Sequence, residues 1–266
     1  MVLIDTHTHL YLPHFNDDIE HVIKNAEEKH VTRMLLPNID ITSFGPMMEL
    51  CNRFPDICHP MLGLHPTSVK EDYREKLSFL ESVAEEDKFV AVGETGMDAY
   101  HDRSFLRQQE DSFITHLQWA KIKGIPIVIH SRNTMEIILP IVRAHAGDKL
   151  RGVFHAFSGT AEQAMEAVSL GFKLGIGGVV TYKNSGLNPI IEAIDLENIV
   201  LETDSPYLTP VPKRGKRNES ANLVYIAEKI AGLKGCSYEE VAHITSKNAY
   251  ELFNLKNKQC KKEHPY

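Results

Sequence analysis

Val2-Leu3-Ile4-Asp5-Thr6-His7-Thr8-His9 follows Met1, and its reading decides the fold. Val2–Asp5 is a short apolar run ending in a carboxylate, the pattern of a buried strand. A doubly wound open sheet would place a glycine-rich phosphate turn directly after that first strand. Here the position holds Thr6-His7-Thr8-His9 and no glycine. Similar runs recur at Thr32–Pro37, Cys58–Leu64, Phe89–Gly93, Pro126–His130, Gly152–His155, Phe172–Ile176 and Ile199–Glu202. Eight runs in 266 residues leave about 33 residues per unit, enough for a strand, a turn, a three-turn helix and a second turn. The expected architecture is a single α/β domain, a (β/α)8 TIM barrel over residues 1–255, with 256–266 as a flexible, lysine-rich tail.

Helical periodicity fills the intervals. Ile19–Lys29 carries Ile19, Val22, Ile23 and Ala26 on one face, and Leu106–Lys123 carries Leu106, Phe113, Leu117 and Ala120 before the stop signal Gly124-Ile125-Pro126. Ala161–Ser169 and Ala221–Ala231 read alike, and Pro206–Arg217 reads as a long basic loop after the last strand. Composition is that of an ordinary globular chain, with 42% hydrophobic and 24% charged residues, which excludes disordered and fibrous classes. Four scattered cysteines form no C-x-x-C pair, so neither a disulfide framework nor a zinc finger is expected. No signal peptide or membrane span is read, no helical stripe marks an oligomer face, and a cytoplasmic setting is the expectation.

Lys plus Arg number 29 against 36 Asp plus Glu, a net charge of −7, which excludes a broad basic footprint for duplex DNA. The outstanding count is 14 histidines. In a barrel enzyme the chemistry sits at the C-terminal ends of the strands. Six of the eight runs end there in His or a carboxylate: His7 and His9, His65, Glu94, His130, His155, and Asp204 just past Glu202. His7 and His9, two apart on an extended strand, face one side. With Glu94, His130, His155 and Asp204 they make a nitrogen and oxygen ligand set suited to two divalent ions, zinc, manganese or magnesium. A lone strand-end histidine is more often structural, so the joint pattern carries the argument. His65 is read as a substrate contact rather than a ligand, and the remaining histidines as surface or packing residues.

The ordered blocks Ile4-Asp5-Thr6-His7-Thr8-His9-Leu10, Gly63-Leu64-His65-Pro66, Gly93-Glu94-Thr95-Gly96-Met97-Asp98, His130-Ser131-Arg132, His155-Ala156-Phe157-Ser158-Gly159 and Leu201-Glu202-Thr203-Asp204-Ser205-Pro206-Tyr207-Leu208 resemble the TatD family of metal-dependent deoxyribonucleases, barrels of the amidohydrolase-like superfamily. The resemblance implies a metal-dependent hydrolase of DNA phosphodiesters in which His7, His9 and Asp204 hold one ion, His130 and His155 the other, and Glu94 bridges. Thr95, Ala99, Ala156 and Ser220 depart from the family pattern and bear on substrate preference. Asp204 is then the candidate catalytic base for a water between the ions, with Glu94 as its catalytic partner through the bridge. His65, Arg132, Arg214 and Arg217 are candidates for holding phosphate. Because positive charge is confined to the ions and one loop, single-stranded or frayed DNA ends are the expected substrate, attacked as by an exonuclease. The alternative is a metal-dependent amidohydrolase or esterase acting on a small-molecule or aminoacyl ester.

Overall fold

The computed structural model describes residues 2–84, 88–147 and 149–255; the expected tail 256–266 lies outside them. Eight parallel strands run in sequence order around a barrel: β1 (Leu3–Asp5), β2 (Val31–Pro37), β3 (Cys58–Leu62), β4 (Ala91–Asp98), β5 (Ile127–Arg132), β6 (Gly152–Phe154), β7 (Phe172–Ile176) and β8 (Ile199–Leu201). The ring closes between β8 and β1. Thr6 donates to Leu201 O from both its N–H and its Oγ1 at 3.0 Å, Asp204 N–H donates to His7 O at 2.9 Å, and Thr8 bridges Ser205. Asp5, wholly buried, reinforces the seam by accepting from Thr203 N–H at 2.9 Å and Thr203 Oγ1 at 2.6 Å.

The (β/α)8 architecture expected from the spacing is the one observed, with two boundary differences that matter. β4 does not stop at Gly93. The strand spans eight buried residues, Ala91–Asp98, and is paired with β5 from Thr95 opposite Ile129 to Asp98 opposite Arg132. Glu94, Thr95 and Asp98 interrupt the apolar run, which is why hydropathy ends the strand too early. The helix expected over Ala221–Ala231 runs over Leu223–Lys234, because Ser220–Asn222 form a separate 3-10 turn. The helices α1 (Ile19–Glu28), α2 (Ile41–Arg53), α3 (Tyr73–Ala84) and α4 (Leu106–Lys123) cover the first strands. The helix over Tyr238–Leu252 is not among those expected, and its last turn and following residues close the barrel floor.

That floor is apolar. Ile4, Leu35, Met61, Ala91, Val128, Val153 and Val200, one from each strand except β7, pack inside the ring against Leu252, Phe253 and Leu255. On β7 the outward residues Phe172, Leu174 and Ile176 join the strand–helix layer, and inside the barrel the strand presents Gly175. Polar side chains are thus concentrated at the opposite end, where the strands terminate.

α4 also fixes the chain leaving β3. His116, buried, donates from Nδ1 to Ser112 O at 2.7 Å and accepts Leu64 N–H on Nε2 at 3.1 Å. Protonation would destroy that acceptor, and burial pushes His116 down to about 4 from 6.5. Between those values the unfolded chain binds the additional proton, so this contribution to stability is whole above pH 6.5 and is lost as pH falls towards 4. His116→Leu should cost about 1–3 kcal/mol at pH 7.5 by leaving Leu64 N–H unpartnered. Denaturant titrations should show a smaller deficit at pH 4.5; an equal deficit at both pH values would contradict this assignment.

Candidate metal centre

The strand ends converge on one carboxylate. Glu94, 2% exposed in mid-β4, places Oε2 3.0 Å from His7 Nε2 and 3.7 Å from His9 Nε2. Its Oε1 lies 2.8 Å from His130 Nδ1, 3.5 Å from His65 Nε2 and 3.8 Å from His155 Nε2. A second carboxylate, Asp204, presents Oδ1 at 3.4 Å from His9, 3.8 Å from His155 and 3.9 Å from His7. Among the described residues, every ion-pair partner of buried Glu94 and half-buried Asp204 is an imidazole. No lysine or arginine among the described residues pairs with either acid.

Two backbone devices make the approach. A Cβ on Gly63 would stand 2.6 Å from Gly93 C, so only glycine lets the ends of β3 and β4 come close enough for His65 to meet Glu94. Asp204 adopts φ +56°, a left-handed conformation uncommon outside glycine, and its N–H bonds to His7 O.

Hydrogen bonds assign several tautomers. Tyr11 Oη donates its proton to Pro37 O at 2.5 Å and therefore accepts from His9 Nδ1 at 2.9 Å. The proton of His9 sits on Nδ1, and the Nε2 lone pair faces the two carboxylates. His65 is the reverse: its Nδ1 accepts Thr67 N–H at 3.2 Å, so Nε2 carries the proton and donates towards Glu94. His65 lies within a ligand-sized group with Glu94 and His130, yet the nitrogen it offers has no free lone pair. His130 has Asp98 Oδ2 behind it at 3.1 Å, and His155 has Glu202 Oε1 behind it at 3.0 Å.

The electrostatics follow from burial and these contacts. Burial opposes the charge on Glu94, but the surrounding His65, His7 and His155 hold it well below the usual carboxylate range. Burial likewise opposes charge on His155, and the carboxylates of Glu202, Glu94 and Asp204 outweigh it, raising that imidazole to about 10. His7, stacked on His155 with ring centres 3.4 Å apart, is pushed down by burial and by His155. Two carboxylates and five imidazoles gathered at one point, with no lysine or arginine paired to either acid among the described residues, are a donor set that fits divalent cations. Among the described residues, the groups of potential ligands within 4.8 Å of one another are His7, His155 and Asp204; His7, His9 and Glu94; and His65, Glu94 and His130. All six residues expected as metal ligands fall in these groups.

The expected phosphate-holding arginines are placed differently from one another. Arg132 ends β5 exposed, its guanidinium 3.9 Å from the centre of the Tyr100 ring. Arg214 lies in the exposed loop after β8, 4.4 Å over Tyr182. Arg217 is committed elsewhere: it pairs with both oxygens of Asp18 at 2.8 and 2.7 Å and with Glu219 at 2.9 Å. Those contacts tie the loop to the first helix, and Arg217 is withdrawn as a phosphate ligand. Sequence reading missed Tyr11, Asp98 and the contact of Glu202 with His155. Asp98 stands four residues from Glu94, a spacing that on one strand would have aligned them. A cavity of about 520 Å³ opens at the other end of the barrel, between Arg33, His59, Arg151 and Phe253, and contains none of the imidazole cluster.

Residues 4–254 match the family described as TatD related DNase. The uncharacterized metal-dependent hydrolase YabD of Bacillus subtilis is 35% identical over 255 residues, covering 96% of this chain and all of that protein. A protein of Erwinia tasmaniensis named 3'-5' ssDNA/RNA exonuclease TatD is 30% identical over 259 residues, covering 95% of this chain and all of its own. The crystal structure of YjjV, a TatD homologue from Escherichia coli, superposes with a TM-score of 0.90 at 29% identity, covering 96% of this chain and 98% of that one. The chain belongs to the TatD-related DNase family and is a metal-dependent hydrolase of that family.

Proposed function

We propose that the chain hydrolyses phosphodiester bonds of DNA, as an exonuclease at single-stranded or frayed ends, with two divalent ions held by His7, His9, Glu94, His130, His155 and Asp204. The observation that carries this reading is the pair of acids, buried Glu94 and half-buried Asp204, whose ion-pair partners among the described residues are all imidazoles. The Erwinia tasmaniensis relative, named for exonuclease action on single-stranded DNA and RNA, supports the choice of substrate. When bound, divalent ions of this kind neutralise phosphoryl charge and make water acidic enough to attack near neutral pH.

The chain's own groups do the rest. Asp204 is the more accessible of the two acids, 17% exposed at its side chain against 3% for Glu94. Its Oδ1 takes the three imidazole contacts, which leaves Oδ2 to accept the proton of the attacking water and return it to the leaving oxygen. Glu94 holds the two halves of the cluster together, Oε2 towards the β1 histidines and Oε1 towards those of β5 and β6. His65 steadies Glu94 and contacts substrate. Arg132 on Tyr100 and Arg214 on Tyr182 offer a charge beside an aromatic face, suited to a phosphate next to an unstacked base.

Cleavage of an end-labelled single-stranded oligonucleotide should require divalent metal and stop on chelation. Glu94→Ala should slow it by roughly a thousandfold, the several kcal/mol expected of lost metal assistance. Undiminished cleavage by the variant would sink the bridging role. Turnover of small esters without any oligonucleotide cleavage would favour the amidohydrolase or esterase alternative. Closed circular duplex, with no end to enter the barrel mouth, should be degraded far more slowly than the oligonucleotide in the same assay; equal rates would contradict the preference for ends.

A further inference from the structure

Glu202 is a buried acid that the proposed chemistry does not use. It is 1% exposed, its Oε1 accepts Ala156 N–H at 2.6 Å and lies 3.0 Å from His155 Nδ1, and its Oε2 is buried without a hydrogen-bond partner. A carboxylate left in that state is expensive unless something requires it there. The space it occupies is made by another residue. A Cβ on Gly175 of β7 would stand 2.7 Å from Glu202 Cδ and closer still to Oε2. β7 is also the strand that gives no side chain to the apolar floor, whereas its neighbours contribute Val153 and Val200.

The structure assigns Glu202 and Gly175 as a positioning pair for His155: Gly175 leaves the hole, and the Glu202 carboxylate seated in it fixes His155 with Nδ1 protonated and Nε2 directed at the metal-binding acids. The geometry supports each part. With Nδ1 turned to Glu202, Nε2 stands 3.8 Å from both Glu94 Oε1 and Asp204 Oδ1. The same Glu202 oxygen that accepts Ala156 N–H, where the backbone turns through φ +42°, makes the 3.0 Å ion-pair contact with His155 Nδ1, so ring and backbone meet one acceptor. His9 reaches the same tautomer through Tyr11, and so an independent residue in this site shows the same demand for a free Nε2. An acceptor behind a ligating imidazole orients the ring and raises its basicity, and removing it typically weakens metal binding about 10- to 100-fold.

This inference rests on the metal-centre reading and is separable from it. Zinc affinity would be measured by competition with a chromophoric chelator for wild type, Glu202→Gln, Glu202→Ala and Gly175→Ala, with folding followed by circular dichroism. Glu202→Ala should bind about 10- to 100-fold more weakly. Gly175→Ala, which touches no proposed ligand, should lose affinity in the same direction by displacing the carboxylate. Glu202→Gln keeps an acceptor oxygen for both N–H groups and should recover most of the affinity. Nitrogen NMR of the zinc-loaded wild type should show His155 protonated at Nδ1, which decides the matter even where an alanine variant fails to fold. Protonation at Nε2, or wild-type affinity in Glu202→Ala and Gly175→Ala, would overturn the positioning role. Wild-type protein that binds no zinc would overturn the metal centre itself.

Discussion

The contact on which the site depends is that of one buried carboxylate, Glu94, with imidazoles from four other strand ends. A carboxylate removed from water costs several kcal/mol unless charge and hydrogen bonds replace the lost hydration. The barrel supplies the replacement by topology. His7 and His9 follow β1, His65 follows β3, His130 lies on β5 and His155 follows β6, and the parallel order brings all of them to the same end. Asp204 joins them only because β8 returns to β1. The Asp5–Thr203 contact, buried in that seam, therefore serves barrel closure and the site together: it holds the start of the His7–His9 segment against the segment that carries Asp204.

Stability and chemistry are divided along the barrel axis. At the floor, apolar side chains from seven strands pack against Leu252, Phe253 and Leu255. At the mouth, close backbone approach replaces side-chain packing, as at Gly63 against Gly93, and non-glycine residues adopt left-handed backbone at Ala156 and Asp204. At Ala156 and Asp204 a conformation unfavourable to an ordinary chain thus stands beside side chains with specific geometry, as expected where strain is retained for function.

The fold was legible because a (β/α)8 chain repeats its pattern: the run after run of buried strand and amphipathic helix needs no long-range information to be counted. The residues gathered at the metal centre were legible for the related reason that strand ends converge in a barrel, so His7, His9, Glu94, His130, His155 and Asp204 could be grouped from position alone. What escaped the sequence depends on side-chain direction. Nothing local says that Glu202 turns towards His155 while Asp204, two residues on, faces the open site, or that Arg217 pairs with Asp18 some 199 residues away. The protonation pattern was equally hidden, since it is set by Tyr11 donating to Pro37 O and by Thr67 N–H pointing at His65. The early end assigned to β4 has the same origin, because a strand that carries Glu94 and Asp98 inside a barrel no longer reads as apolar.

The most direct test of the metal centre is anomalous diffraction from crystals grown with manganese, collected where manganese scatters strongly. Two peaks flanking Glu94, one contacted by His7, His9 and Asp204 and the other by His130 and His155, are predicted. A protein crystallised with saturating manganese that shows no peak within reach of Glu94 would contradict the central claim.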